Sequence, residues 1–136
     1  EPLAAELAAQ RHDEAALAAL DENLAKTRQS LDNQESLTEL DVEFHLLVAK
    51  AAGNKALMLA REPLGILFFP AFYQVMARLN AGERLLVAHG AIVAAMRNRN
   101  AAEARQWMHR HIVDFKRGYE LLSLDLDRPI EPTQPK

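Results

Sequence analysis

Apolar residues recur along this chain at intervals of three and four, the spacing that places side chains on one face of an α-helix. A clear example is the stripe at positions 85, 86, 89, 92, 93 and 96, where a histidine stands among leucine, isoleucine, valine and methionine. Alternation with a period of two, which would indicate a β-strand, is not sustained in the sequence. The pattern therefore predicts an all-α fold.

Residues that favour helix ends divide the first half of the pattern into segments. Pro2 suits the first turn of a helix, and Asp13 can cap a second one. Ser36 and Glu39 have the spacing of a capping box, which would begin a third helix. Gly53 is a predicted C-cap that ends this helix.

The second half begins with a long apolar segment, residues 55–79, which Pro63 and Pro70 interrupt. Because each proline lacks an amide donor, we expect either one kinked helix or two short ones. A fifth helix follows the turn at residues 80–82, and Asn100 caps a last one. The sequence thus predicts an antiparallel bundle of six or seven helices.

The bundle is expected to occupy residues 1–124, followed by a flexible, proline-rich C-terminal tail over residues 125–136. The chain opens on a helical pattern without an initiating methionine, which suggests a fragment or a processed product. A length of 136 residues fits one domain with a substantial core.

Composition narrows the function classes. Sixteen basic and nineteen acidic residues give a net charge of −3, so there is no basic surface typical of nucleic-acid binding. The absence of cysteine excludes disulfides and thiolate metal ligands. No apolar run reaches the roughly eighteen residues of a membrane span and the start lacks a signal-peptide pattern, so we expect a cytoplasmic protein with no membrane association.

Four polar residues lie on or beside apolar helix stripes. Asp41 and His45 are four residues apart and project from one helix face, while His89 and His111 lie on later helices. Polar groups facing a core are costly unless something there satisfies them. The combination therefore favours a site for a divalent transition metal.

Each of these residues also has a simpler interpretation when taken alone. A single histidine on an apolar face is more often a hydrogen-bonded core residue than a metal ligand, and Asp41 with His45 could be a surface salt bridge. Only the set on three helices favours a metal. His109 lies about 200° around the helix from His111 and His12 falls in a predicted loop, so neither belongs to the site.

Other catalytic chemistry has little support in the sequence. There is no glycine-rich phosphate loop, no nucleophile elbow, no cysteine nucleophile and no His-Glu-x-x-His motif. Glu43 precedes His45 by two residues and points away from it. The aromatic residues 68, 69, 72 and 73 cluster beside the prolines, where they form part of the core or line a pocket.

The order and spacing of these motifs resemble a known family. The run from Asp41 to Asn54 is similar to the hallmark of the FadR C-terminal domain family, the effector-binding half of many GntR-superfamily transcription regulators. His89 with the Ala-Ile-Val-Ala-Ala-Met that follows Gly90, and the run from Asn100 to His111, resemble the family's two later histidine helices. The resemblance extends from residue 3 to residue 123.

The resemblance implies a specific metal site and ligand. In the metal-binding branch of the family, an aspartate and three histidines hold one divalent ion, and the matching residues here are Asp41, His45, His89 and His111. Zinc is the expected ion, with nickel and manganese as alternatives. A small organic acid would bind through its carboxylate at the open coordination positions, and we assign Phe69, Tyr73 and Met108 to its pocket.

The resemblance also implies how such a domain would work. Regulators of this kind carry an N-terminal winged-helix DNA-binding domain, which is absent from this chain, and operator DNA would be bound only through it. We expect a homodimer, because such regulators act on two half-sites. Two other functions stay open: a metal-dependent hydrolase, for which no free general base is evident, and a purely structural dimerisation module.

Overall fold

The computed structural model describes residues 1–123, which form six α-helices joined by short connections. These are α1 (Pro2–Arg11), α2 (Glu14–Gln29), α3 (Gln34–Ala51), α4 (Lys55–Leu79), α5 (Gly82–Arg97) and α6 (Ala101–Leu121). No strand occurs in this part of the chain, so the predicted all-α bundle is confirmed. The predicted tail over residues 125–136 lies outside the described residues.

Side-chain caps begin several helices, and those of Asp13 and Asn100 agree with the sequence analysis. The Asp13 carboxylate accepts hydrogen bonds from backbone amides in the first turn of α2, and the Asn54 side chain does the same for α4. At the start of α6, Asn100 accepts from the amide of Glu103 and donates to its carboxylate. In each cap, the bond from a backbone amide to the capping side chain satisfies a donor that has no partner within the helix.

The start of α3 differs from the prediction. The side chain of Asn33 accepts the amide of Ser36 at 3.0 Å, and the helix therefore begins at Gln34. The predicted capping box of Ser36 and Glu39 is wrong, because an earlier asparagine already supplies the cap and places Ser36 inside the first turn.

The end of α3 agrees with the prediction. Gly53 follows the last turn with a left-handed φ of 64°. The flexible side chain of Arg11 lies close to this position and could move aside for a Cβ atom. The left-handed backbone conformation is therefore what favours glycine here.

The apolar segment after Asn54 forms one continuous helix, α4, so the alternative of two short helices is wrong. Pro63 and Pro70 both lie inside it. Each proline removes its own amide hydrogen bond and its ring crowds the carbonyl four residues earlier, but packing can hold the remaining turns together. Gly65 supplies part of this packing, since a Cβ there would lie 2.8 Å from the side chain of Val42 on α3.

Much of the apolar surface of α4 faces outward. Its exposed large side chains are Leu59, Leu64, Ile66, Leu67 and Phe68. The expectation that no apolar run has the length of a membrane span needs correction: among the described residues, α4 is long and apolar enough by length and composition. That criterion alone is weak evidence, and the helix also carries four charged residues and two prolines.

The main core lies among the other five helices. Its large buried side chains include Leu17, Leu20, Phe44, Val48, Ile92, Met96 and Met108. Helix α1 contributes four buried alanines, whose small side chains let it approach its neighbours closely. Phe44 joins this core to a buried polar cluster, because its ring stacks on that of His89 with the centroids 3.6 Å apart.

Candidate metal centre

Three helices bring the four predicted polar residues together. Asp41 and His45 project from one face of α3, His89 comes from the middle of α5, and His111 comes from α6. The first three are buried and His111 is partly buried. Each offers one ligand atom, and these four atoms all lie within 4.8 Å of one another.

The donor atoms face a common point. The carboxylate oxygen Oδ1 of Asp41 lies 3.3 Å from Nε2 of His89, 3.6 Å from Nε2 of His111 and 3.7 Å from Nε2 of His45. Nε2 of His111 lies 3.0 Å from that of His45 and 3.4 Å from that of His89. A tetrahedral zinc site with bonds of about 2.0–2.1 Å separates its ligand atoms by about 3.3 Å.

The cluster therefore fits a divalent transition metal. Buried Oδ1 of Asp41 has no hydrogen-bond partner within the described residues, although three imidazole nitrogens surround it. Such an unsatisfied buried oxygen is costly unless a cation or a proton donor completes its surroundings. Imidazole nitrogen and carboxylate oxygen are both common ligands of zinc and of similar divalent ions.

The electrostatic environment keeps two of the ligands in the protonation state that binds metal. Burial acts to raise the pKa of the Asp41 carboxyl, but the contacts with His111 and His89 outweigh it and hold that pKa well below its usual value. Burial lowers the pKa of His89 to about 3, against the opposing effect of Asp41. Asp41 is thus an anion and His89 a neutral imidazole.

Two residues that the sequence analysis did not identify support the cluster from outside. The Glu1 carboxylate lies 3.1 Å from Nδ1 of His45, and its other oxygen forms a 2.6 Å ion pair with Nε of the buried Arg61. An N–H at Nδ1 of His45 that donates to Glu1 leaves the Nε2 lone pair directed at the cluster. Burial raises the pKa of Glu1, but His45 and Arg61 outweigh it and lower that pKa overall.

A cavity of about 650 Å³ adjoins the cluster. Asp41, His45 and His111 line one part of it, together with Glu1 and Arg61. Most of the remaining lining is apolar and comes from α4, α5 and α6. The cluster is therefore accessible to a small molecule.

The three residues assigned to an effector pocket do not lie together at this cavity. Phe69 lines a second cavity of about 550 Å³ that residues of α3 and α4 form, Tyr73 lines neither, and Met108 is fully buried in the main core. The neighbouring aromatic residues Phe68 and Phe72 line the 650 Å³ cavity instead.

The remaining polar candidates also have defined positions. Glu43 accepts a hydrogen bond from Asn23 on α2 and does not join the cluster. His109 is exposed, as predicted. His12 lies just beyond α1, where its Nε2 is 3.0 Å from the carbonyl oxygen of Arg97.

Comparison with known proteins identifies one family. The family model described as FCD domain matches residues 1–114, a range that contains all four residues of the cluster. This match confirms the resemblance found in the sequence. No curated protein and no solved structure matches the chain significantly.

Proposed function

Because the chain belongs to the FCD domain family, the effector-binding C-terminal domains of GntR-type transcription regulators, we propose that it senses a small carboxylate through a divalent metal ion. The ligands of this ion are Asp41, His45, His89 and His111. The observation that carries the proposal is the convergence of these four donor atoms beside a cavity large enough for an organic acid. Zinc is the first candidate ion, with nickel and manganese as alternatives.

The residues of the chain have distinct parts in this function. When bound, the ion supplies a Lewis-acid anchor for a carboxylate oxygen of the effector. Glu1 holds His45 in the orientation that directs Nε2 toward the cluster, and Arg61 holds Glu1.

Binding at this site can be transmitted because several helices meet there. The cluster joins α3, α5 and α6, and the cavity walls add α4. An effector that contacts these helices differently in two packing arrangements shifts the balance between them. In a full-length regulator this change would alter how the N-terminal domains are held on operator DNA.

A homodimer is part of the proposal. The apolar side chains of Leu59 and Ile66 are 63% and 76% exposed on α4, and burying them in a symmetric interface would remove them from water. Light scattering at micromolar concentration should give twice the chain mass. Ile66→Lys should shift the protein toward the monomer, and a wild-type protein that is monomeric at these concentrations would contradict this part of the proposal.

The two competing functions have less support. FCD domains belong to transcription regulators rather than to enzymes. A hydrolase would need a free general base near the ion, but the nearby Glu1 is already engaged by His45 and Arg61. A purely structural module would leave Oδ1 of Asp41 buried without a partner.

Metal content tests the proposal directly. The domain purified without a histidine tag should contain about one divalent ion per chain by mass spectrometry of the elements. Exhaustive chelation should lower its melting temperature, since the ion binds the folded state alone. A domain that contains no metal, takes up none on dialysis against zinc and melts at the same temperature after chelation would refute the proposal.

A further inference from the structure

The walls of the 650 Å³ cavity are apolar over most of their extent, although the metal cluster lies at one end. Leu64, Phe68 and Phe72 from α4 face Val87 from α5 and Ile112 and Phe115 from α6. Cavities of roughly 300–1,000 Å³ usually enclose drug-sized ligands. The volume and the lining suit a ligand that is larger and more apolar than a small hydrophilic acid.

The charged groups around the cavity favour a ligand with a single negative charge. Its lining holds four carboxylates and three guanidinium groups. Two of these arginines already face a carboxylate, since Arg61 pairs with Glu1 at 2.6 Å and Arg84 with Asp114 at 3.5 Å. With a divalent ion the lining has a net charge of plus one, which a single carboxylate neutralises.

We propose that the effector is a monocarboxylate with an apolar body, such as a medium-chain aliphatic acid or an aryl-substituted acid. This inference rests on the proposed function and deepens it. The carboxylate lies at the metal cluster, and the apolar body extends along the walls that α4, α5 and α6 form. Polycarboxylates and sugar acids should bind more weakly, because their additional polar groups would lose water against walls that are mostly apolar.

Calorimetric titration of the metal-loaded domain can test this preference. The probes are octanoate and 3-phenylpropanoate, compared with succinate and D-gluconate, while octanamide serves as the control without a carboxylate. Octanoate and 3-phenylpropanoate should bind at least about tenfold more tightly than succinate or gluconate. Octanamide should not bind measurably, because it lacks the group that the ion anchors.

A pair of matched variants locates the binding site. Leu64→Ser alters the cavity wall, whereas Leu121→Ser makes the same change at an exposed leucine of α6 that does not line the cavity. Leu64→Ser should weaken octanoate binding by about tenfold and leave the metal content unchanged. Leu121→Ser should change neither.

The possible failures of the two proposals can be distinguished by measuring metal in the same samples. A domain with full metal occupancy that binds succinate or gluconate as tightly as octanoate, or that binds none of these acids, would overturn this inference alone. Equal effects of Leu64→Ser and Leu121→Ser on octanoate binding would also overturn it. A domain unable to hold metal would refute the proposed function and this inference together.

Discussion

Helices α3 and α4 are neighbours in the bundle, but they distribute polar and apolar residues in opposite ways. Helix α3 buries Asp41 and His45 beside Phe44 and keeps most of its charged residues outside. Helix α4 buries the guanidinium of Arg61 and exposes several large apolar side chains. In α3 the buried polar groups face the histidines of α5 and α6, whereas in α4 several large apolar side chains remain exposed.

This difference separates two kinds of surface. The inner face of α3 contributes to both the core and the metal cluster, so substitutions there should affect stability and metal binding strongly. The outer surface of α4 contributes to neither, so its apolar residues should matter for contacts with other molecules. Four experiments test this difference and the metal cluster that it involves.

The largest effect is expected from the same substitution made in each helix. Phe44→Ala removes a fully buried ring that also stacks on His89, so it should lower the free energy of unfolding by about 3–5 kcal/mol. Phe68→Ala removes a ring that is 42% exposed and should cost much less. Urea unfolding measures both, and equal losses would show that the two helices do not differ in this way.

The second-largest effect is expected when a metal ligand is removed, and it should appear in the affinity for zinc. Asp41→Asn replaces the only carboxylate of the cluster by a neutral amide. Zinc affinity should fall by more than about a hundredfold, because even outer-shell changes cost about 10–100-fold. Competition with a chromogenic chelator measures the affinity.

The control for this prediction is His109→Ala, since His109 is an exposed histidine of the same helix as His111. It should leave the affinity for zinc unchanged. Asp41→Asn without effect on the affinity for zinc, or an equal loss of affinity in both variants, would contradict the assignment of Asp41 as a ligand.

Acid should destabilise the metal-free domain through His89. Because burial lowers the pKa of His89 to about 3 from its usual 6.5, the folded state binds fewer protons than the unfolded state between these values. Stability should therefore fall as pH decreases from 6.5 toward 3, by at most about 1.4 kcal/mol per pH unit for this group. The lowered pKa of Asp41 adds a further loss only below about pH 3.8.

Urea unfolding of chelator-treated protein at several pH values measures this dependence. His89→Asn should flatten it across the window from 6.5 to 3, relative to the wild type. His109→Asn should not, because His109 is exposed on α6. A wild-type stability that does not change with pH in this window would contradict the prediction.

The smallest effect is expected from the group that orients His45. Glu1→Gln keeps a hydrogen-bond acceptor but removes the charge that pairs with Arg61. Zinc affinity should fall by about tenfold, the lower end of the range for outer-shell partners. The same isosteric change at an acidic residue of α1, Glu6→Gln, should have no effect, since Glu6 pairs with Arg105 and does not contact the cluster.

Both the helices and the four clustered residues could be predicted from the apolar stripes in the sequence. Each helix that contributes to the core carries an apolar stripe, so a polar residue such as His89 is conspicuous on it. Glu1 and Arg61 could not be found in this way, because their contact depends on how α1 and α4 pack. Arg61 did carry a signal, since it is a charged residue within an apolar helix.

The cavity wall was harder to predict because α4 is apolar on nearly every side. Phe68 and Phe72 are four residues apart and share one face, while Phe69 and Tyr73 share a face about 100° away. With apolar residues on both faces, the sequence does not indicate which one meets the cavity. The cap of α3 was missed for a related reason, because Asn33 and Ser36 are both good capping residues and only the packing decides between them.

The cluster draws its members from distant parts of the chain, and this links folding to the supply of metal. His45 and His111 are 66 residues apart in sequence, so an unfolded chain does not present the complete ligand set. If the proposed ion binds only the folded domain, each tenfold rise in free metal above the dissociation constant adds about 1.4 kcal/mol to the stability. The amount of intact regulator in a cell would then depend on the availability of the ion as well as on that of the effector.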